Sequence, residues 1–174
     1  ILINNTGGPP HGSILDVEPY EFGKAFRRHV MASHLLLRAL LGNMQTAGYG
    51  RVINIISTSV REPIAGLGVS NTTRGAMASW SKSVSKELPP EITINNILPG
   101  YTDTERLTEL KNAKAADSGT PADEIQASWL EAIPARRLAD PSEMASTAAF
   151  LASEEGAYIS GQSLAVDGGR MASI

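Results

Sequence analysis

Cysteine is absent from the 174-residue chain, which excludes a disulfide framework, a thiolate metal site and a cysteine nucleophile. Its three histidines, His11, His29 and His34, show no metal-ligand spacing, so no metal is expected. Charge of one sign is lacking as well: 15 basic against 18 acidic residues leave a net charge of −3, which gives no electrostatic reason to expect nucleic acid or an anionic membrane as partner. No apolar run approaches the roughly 18 residues that span a bilayer, and the leucine-rich stretch 34–41 is broken by Arg38. Residues 1–5 show neither a basic leader nor a cleavage signal, so a cytoplasmic location is the default expectation. A glycine-rich dinucleotide turn is missing too. Gly66 and Gly68 leave a loop instead of a strand and are followed by Asn71 where the fingerprint wants glycine, while Gly48 and Gly50 precede a strand. The phosphate-cradling half of a nucleotide site is not encoded in these residues.

What is present is the composition of a soluble globular protein, 42% hydrophobic and 19% charged, with length enough for one core. No repeat, low-complexity tract or linker divides the chain, so residues 1–174 are expected to form a single domain. Apolar runs at 1–5, 51–57, 92–98 and 163–167 alternate with helical patterns at 19–44, 70–88, 105–111, 122–132 and 141–153. Pro19 suits the first turn of a helix, Pro89 and Pro90 stop one, and Asp140, Pro141 and Glu143 have the form of a capping box. Connections of dozens of residues exclude hairpins between the runs, so the prediction is an α/β fold: a parallel sheet of four strands with helices on both faces. A core strand at residues 1–5, with nothing before it to pair or cover it, reads as a piece of a longer domain.

The stretch 53–77 organises the rest. Its strand delivers Ser57 to the carboxyl end, where open α/β sheets place their ligands. The helix that follows carries Ser70 and Arg74, four apart and therefore on one face. Each has a bland reading beside the functional one: Ser57 as a hydroxyl that ends a strand, Ser70 as a helix N-cap, and Arg74 as a solvated helix residue. His29, on the long helix at 19–44, is either a structural histidine or a proton donor titrating near neutrality.

Serine at 57, a polar residue thirteen on and a cation four further on resemble the Ser, Tyr-x-x-x-Lys constellation of the short-chain dehydrogenase/reductase family. RVINIIS at 51–57, INNILPGYTDT at 94–104 and YISGQSLAVDGG at 158–169 resemble that family's landmarks in the right order, as does Asn4-Asn5-Thr6-Gly7 beside its Asn-Asn-Ala-Gly. The resemblance covers nearly the whole chain, which is similar to the 3-oxoacyl-carrier-protein reductase branch. It implies the later part of a Rossmann-like doubly wound parallel sheet, NADP or NAD as cofactor with NADP preferred, a small carbonyl or alcohol substrate, and a homo-oligomer built through the helices at 19–44 and 70–88. It also implies roles: Ser57 orients the carbonyl, Ser70 stands where the family has its proton-donating tyrosine, Arg74 where it has the lysine that holds the nicotinamide ribose, and His29 where it has an asparagine of the proton relay. Asn5, Gly7, Pro99, Gly100, Thr102 and Thr104 would border the nicotinamide. With two catalytic residue types replaced, the implied function is either an oxidoreductase with a divergent site or a catalytically silent relative that binds a nucleotide or partner, or a fragment without function.

Overall fold

The computed structural model describes residues 1–9 and 11–173. Its four strands, β1 (Leu2–Asn5), β2 (Gly50–Ile55), β3 (Ile92–Pro99) and β4 (Ser163–Val166), lie side by side in that order, every neighbouring pair parallel. The expected four-stranded parallel sheet is therefore observed. Central β2 and β3 are buried along almost their whole length, because helices cover both faces.

On one face pack α1 (Pro19–Phe26), α2 (Ala32–Thr46) and α3 (Gly68–Val84). Leu37 and Met44 of α2 meet Leu2, Val52, Ile92 and Ile94, while Val30 and Met77 meet Ile56 and Leu98. The other face is covered by α6 (Pro141–Ala152), whose Ala148 and Leu151 pack on Ile53 and Ile97. Asp140 and Glu143 close the expected capping box at its start, which satisfies backbone donors the first turn leaves free. Trp80, Val84 and Leu88 lean on the first of these clusters, so the apolar stripe of α3 is core.

Between the two clusters on the α2/α3 face runs a polar ladder. Strand alternation and register align Asn4, Asn54, Asn96 and Ser163 across the whole sheet. The Asn4 amide donates to Asn54 Oδ1 at 2.8 Å, Asn54 donates to Asn96 Oδ1 at 2.8 Å, and Asn96 donates to Ser163 Oγ at 3.0 Å. A one-residue slip of any strand would bury these amides against apolar side chains, so the ladder fixes register.

Three details differ from the expected pattern. The helix at 19–44 is interrupted by a π-helical turn at Arg27–Met31, whose extra residue brings both His29 and Val30 into the interior. The third helix begins at Gly68, two residues before Ser70, and ends at Val84. A side chain at 68 would clash with Ile14, whose Cβ lies 2.4 Å from the place a Cβ would take. The polar region after β3 forms the two expected helices, but the first, α4 (Glu105–Ser118), runs on past residue 111; it is joined to α5 (Ala122–Ala132) by Lys111 Nζ donating to Gln126 Oε1 at 2.8 Å.

Candidate functional site

Loops leaving the carboxyl ends of β1, β2, β3 and β4 surround one cavity of about 720 Å³, roofed by Leu107 and Leu110 of α4 and walled by Met144 of α6. Asn5, Gly7, Ser57, Ser70, Arg74, Pro99, Gly100, Thr102 and Thr104 all line it. Four separate segments of the chain are thus brought together at one cavity.

Ser57 stands two residues past β2 and caps a single 3₁₀ turn, Thr58–Val60, its Oγ accepting from the Ser59 amide at 3.0 Å. Ser57 lines the cavity, and one O–H can donate one hydrogen bond to a ligand oxygen. Ser70 is the third residue of α3, whose N-cap is Leu67. The N-cap reading of Ser70 is therefore wrong: the helix starts a half-turn earlier, against Ile14, and leaves the Ser70 side chain facing the cavity.

Arg74 lies one turn further on and is only 8% exposed. Its Nη1 donates to Ile55 O at 2.7 Å and its Nη2 to Thr6 O at 3.0 Å, so one guanidinium ties the ends of β1 and β2 together. It is not a solvated helix residue. Burial, with a smaller push from Arg106, lowers it to about 10, which still leaves it charged near neutrality. Of its five N–H groups the other three have no partner among the described residues.

His29 is placed differently. It is 1% exposed, lies behind Thr6 and does not line the cavity; its Nδ1 meets the Thr6 hydroxyl, and Nε2 has no partner among the described residues. Burial first, then the positive charges of Arg74 and Arg28, push it down from 6.5 to about 4. The expectation of a donor titrating near neutrality is corrected accordingly: the imidazole is neutral there because a third cation beside Arg74 and Arg28 would be buried without a counter-ion. Since the folded value lies below the unfolded one, the unfolded chain takes up this proton first. The stability held by neutral His29 is whole above about pH 6.5 and is lost as pH falls toward 4, a loss on the order of 3 kcal/mol. Urea unfolding at pH 7 and pH 4.5 should show a larger drop for the wild type than for His29→Asn; equal drops would mean that His29 does not carry it.

On the far side Pro99 ends β3, and the Gly100 amide donates to Val166 O at 2.9 Å. A Cβ at Gly100 would stand 2.7 Å from Asp167 Cα, so only glycine lets the two loops approach this closely. Thr102 is bridged to Ala139, and Thr104 caps α4 by accepting from the Leu107 amide at 3.3 Å. Both hydroxyls are tied to backbone, Thr102 Oγ1 donating to Gly100 O at 3.4 Å and Thr104 Oγ1 to Thr102 O at 3.3 Å. Sequence spacing missed Thr58, Tyr101, Arg106 and Arg170, which also line the cavity. Tyr101 is stacked on Trp129 at 4.8 Å, the Arg170 guanidinium lies 5.1 Å from its ring centre, and burial raises its phenol. Arg170 in turn donates to Thr58 Oγ1 at 3.2 Å. Tyr101 stands inside one of the quoted motifs, but nothing in its spacing announces a stack with a residue on α5.

Comparison with known proteins matches residues 1–170 to the family described as Enoyl-(Acyl carrier protein) reductase. An uncharacterized oxidoreductase of Mycobacterium tuberculosis is 34% identical over 170 residues, covering 97% of this chain and 61% of that protein. An NADPH-dependent reductase of Bacillus subtilis is 30% identical over 175 residues, covering 100% of this chain and 68% of that protein. The chain thus spans 61% and 68% of the length of these curated relatives. Among solved structures, the L-sorbose reductase from Gluconobacter frateurii, complexed with NADPH and L-sorbose, superposes with a TM-score of 0.90 at 28% identity, over 99% of this chain and 66% of that one.

Proposed function

The chain belongs to the short-chain dehydrogenase/reductase family, and from that premise we propose that it forms the substrate side of a nicotinamide-dependent oxidoreductase that interconverts a small ketone and its alcohol. The observation that carries this reading is the convergence of Ser57, Ser70 and Arg74 on one cavity with Pro99, Gly100, Thr102 and Thr104. The residues present fit the nicotinamide half of a cofactor. Gly7 and Gly8 leave bare backbone on one wall, Arg74 has unspent donors for ribose hydroxyls, and Gly100, Thr102 and Thr104 border the opposite wall. A bound dihydronicotinamide would supply the hydride. NADP in preference to NAD is our reading, supported by the NADPH named for the Bacillus and Gluconobacter proteins.

Ser57 then orients the carbonyl through its free O–H. Ser70 supplies a hydroxyl where the family has a phenol, and Arg74 places an uncompensated positive charge beside the oxygen on which negative charge develops. Leu107, Leu110 and Met144 give the cavity an apolar lining. Phe26, Leu35 and Leu36 are 44%, 61% and 49% exposed on α1 and α2, and this face is the one we assign to an isologous contact between copies. A second reading, binding without turnover, rests on Ser70: an aliphatic hydroxyl is a far weaker acid than a phenol of pKa ~10. Steady-state NADPH oxidation by the complete protein against a panel of ketones separates the two. Turnover is expected, with Ser57→Ala lowering kcat/KM by about 10²- to 10³-fold while NADPH fluorescence still reports binding. NADPH binding without turnover of any ketone would favour the silent reading.

A further inference from the structure

Of the two helices that follow β3, only one is anchored in the interior. α5 buries Trp129 against Tyr101, whereas α4 buries no residue. Its two large apolar side chains, Leu107 and Leu110, are three apart and therefore share a face, and both line the cavity. What ties α4 to its surroundings is polar: Arg106 Nη2 donates to Pro9 O at 2.8 Å, His11 Nδ1 lies 3.0 Å from Asp117 Oδ2, and Lys111 reaches Gln126. The leucines are thus apolar surface turned to the cavity, which an apolar ligand would take out of water.

A second apolar pair stands on the loop that joins Ser57 to Ser70. Ile64 and Leu67 line the same cavity, and hydrogen bonds fix their backbone: Ile64 O accepts from Asn71 Nδ2 at 2.9 Å and from the Leu67 amide at 3.2 Å. Leu67 is the N-cap of α3, three residues before Ser70. Residues 11 and 12 bridge the two walls, since His11 meets Asp117 of α4 while the Gly12 amide donates to Gly66 O at 2.9 Å. Charge offers a substrate little here. Arg106 is engaged by Pro9 O and by Glu109 at 3.1 Å, Arg170 donates to Thr58 Oγ1, and Arg74 belongs to the cofactor wall. No lysine, aspartate or glutamate lines the cavity among the described residues.

We propose that the substrate is an uncharged ketone with a hydrocarbon arm, its carbonyl at Ser57 and its arm between Ile64 and Leu67 on one side and Leu107 and Leu110 on the other. This rests on the oxidoreductase reading and adds the substrate class to it. The four side chains select by apolar area. Each methylene taken out of water tightens binding by about 3- to 4-fold, and a polar group on the arm, left without a partner between the two walls, loses that gain.

The test is a homologous series from butan-2-one to octan-2-one, reduced by the complete protein with NADPH. kcat/KM should climb by about 3- to 4-fold per added methylene and level off once the arm outgrows the walls. Leu110→Gln and Ile64→Thr should each lower the octanone-to-butanone ratio of kcat/KM by about 10-fold, the burial of roughly two methylenes, while Leu110→Met keeps it and circular dichroism confirms that the variants fold. A kcat/KM that stays level or falls along the series would overturn the proposal. So would a Leu110→Gln loss that appears in NADPH affinity at an unchanged octanone-to-butanone ratio, which would assign the leucines to the cofactor. Calorimetric titration of the NADPH complex with the same ketones keeps the two readings apart. Affinity that rises with chain length without turnover of any ketone would leave the apolar site standing and remove the oxidoreductase reading; turnover with no dependence on length would do the reverse.

Discussion

Ser70→Tyr is expected to raise carbonyl reduction by about 10²- to 10⁴-fold, the contribution of a positioned general acid. Ser70 occupies the first turn of α3 and faces a cavity of about 720 Å³, so a phenol has room. One turn away the Arg74 guanidinium is charged, buried and, among the described residues, without a carboxylate partner, and such a charge lowers the pKa of a neighbouring phenol by favouring its ionised form. Serine gains little from the same charge, because its hydroxyl starts far less acidic and reaches less far. Adding Arg74→Lys restores the residue types of the family but should add little rate. A single ammonium would have to serve both Thr6 O and Ile55 O, and leaving one of these buried carbonyls unpaired costs about 1–3 kcal/mol. Steady-state kinetics of the two single variants and the double variant, with urea unfolding of each, measure both effects. A Ser70→Tyr enzyme no faster than wild type would show that position 70 does not address the reacting carbonyl.

The largest stability effect is expected at the centre of the asparagine ladder. Asn54 is fully buried and serves both neighbours, accepting from Asn4 and donating to Asn96. Asn54→Leu removes two hydrogen bonds and leaves the Asn4 amide and the Asn96 carbonyl oxygen unsatisfied in the interior. At 1–3 kcal/mol for each orphaned group, the loss should be about 4 kcal/mol, a large share of the 5–15 kcal/mol that typical domains have. Asn4→Leu alone orphans one acceptor, and the two replacements together should cost less than their sum, since the Asn4 donor is then gone as well. Additive losses in urea unfolding would mean that the two amides are not coupled through the ladder.

Much of this fold is legible in particular residues. β-branched runs at 52–56 and 92–97 mark the two central strands because both of their faces are covered, and the Asp140 box marks the start of α6 because its chemistry is local. Ser57, Ser70, Arg74 and the Pro99–Thr104 segment could be placed at one end of the sheet because parallel strands put their carboxyl ends together. What escaped depends on long-range contact. Nothing local signals the π turn at Arg27–Met31, the start of α3 at Gly68 is set by Ile14, and His29 takes its low proton affinity from burial near Arg74 and Arg28. Asn96 reads in sequence as an interruption of an apolar run, and only register shows it to be a rung of the ladder. Arg106 and Arg170 reach the cavity from the first turn of α4 and from beyond β4, positions whose convergence no spacing rule gives.

The central claim is that this cavity directs hydride between a nicotinamide and a carbonyl carbon, and isotope transfer tests it most directly. The complete protein, supplied with NADPH carrying deuterium at the transferable position of the dihydronicotinamide and with a ketone it turns over, should yield an alcohol with one deuterium on the former carbonyl carbon, read by mass spectrometry. Ser57→Ala should slow the appearance of label without changing where it goes. Alcohol formed without label at that carbon, or label found equally with the cavity closed by Gly7→Trp, would contradict the account.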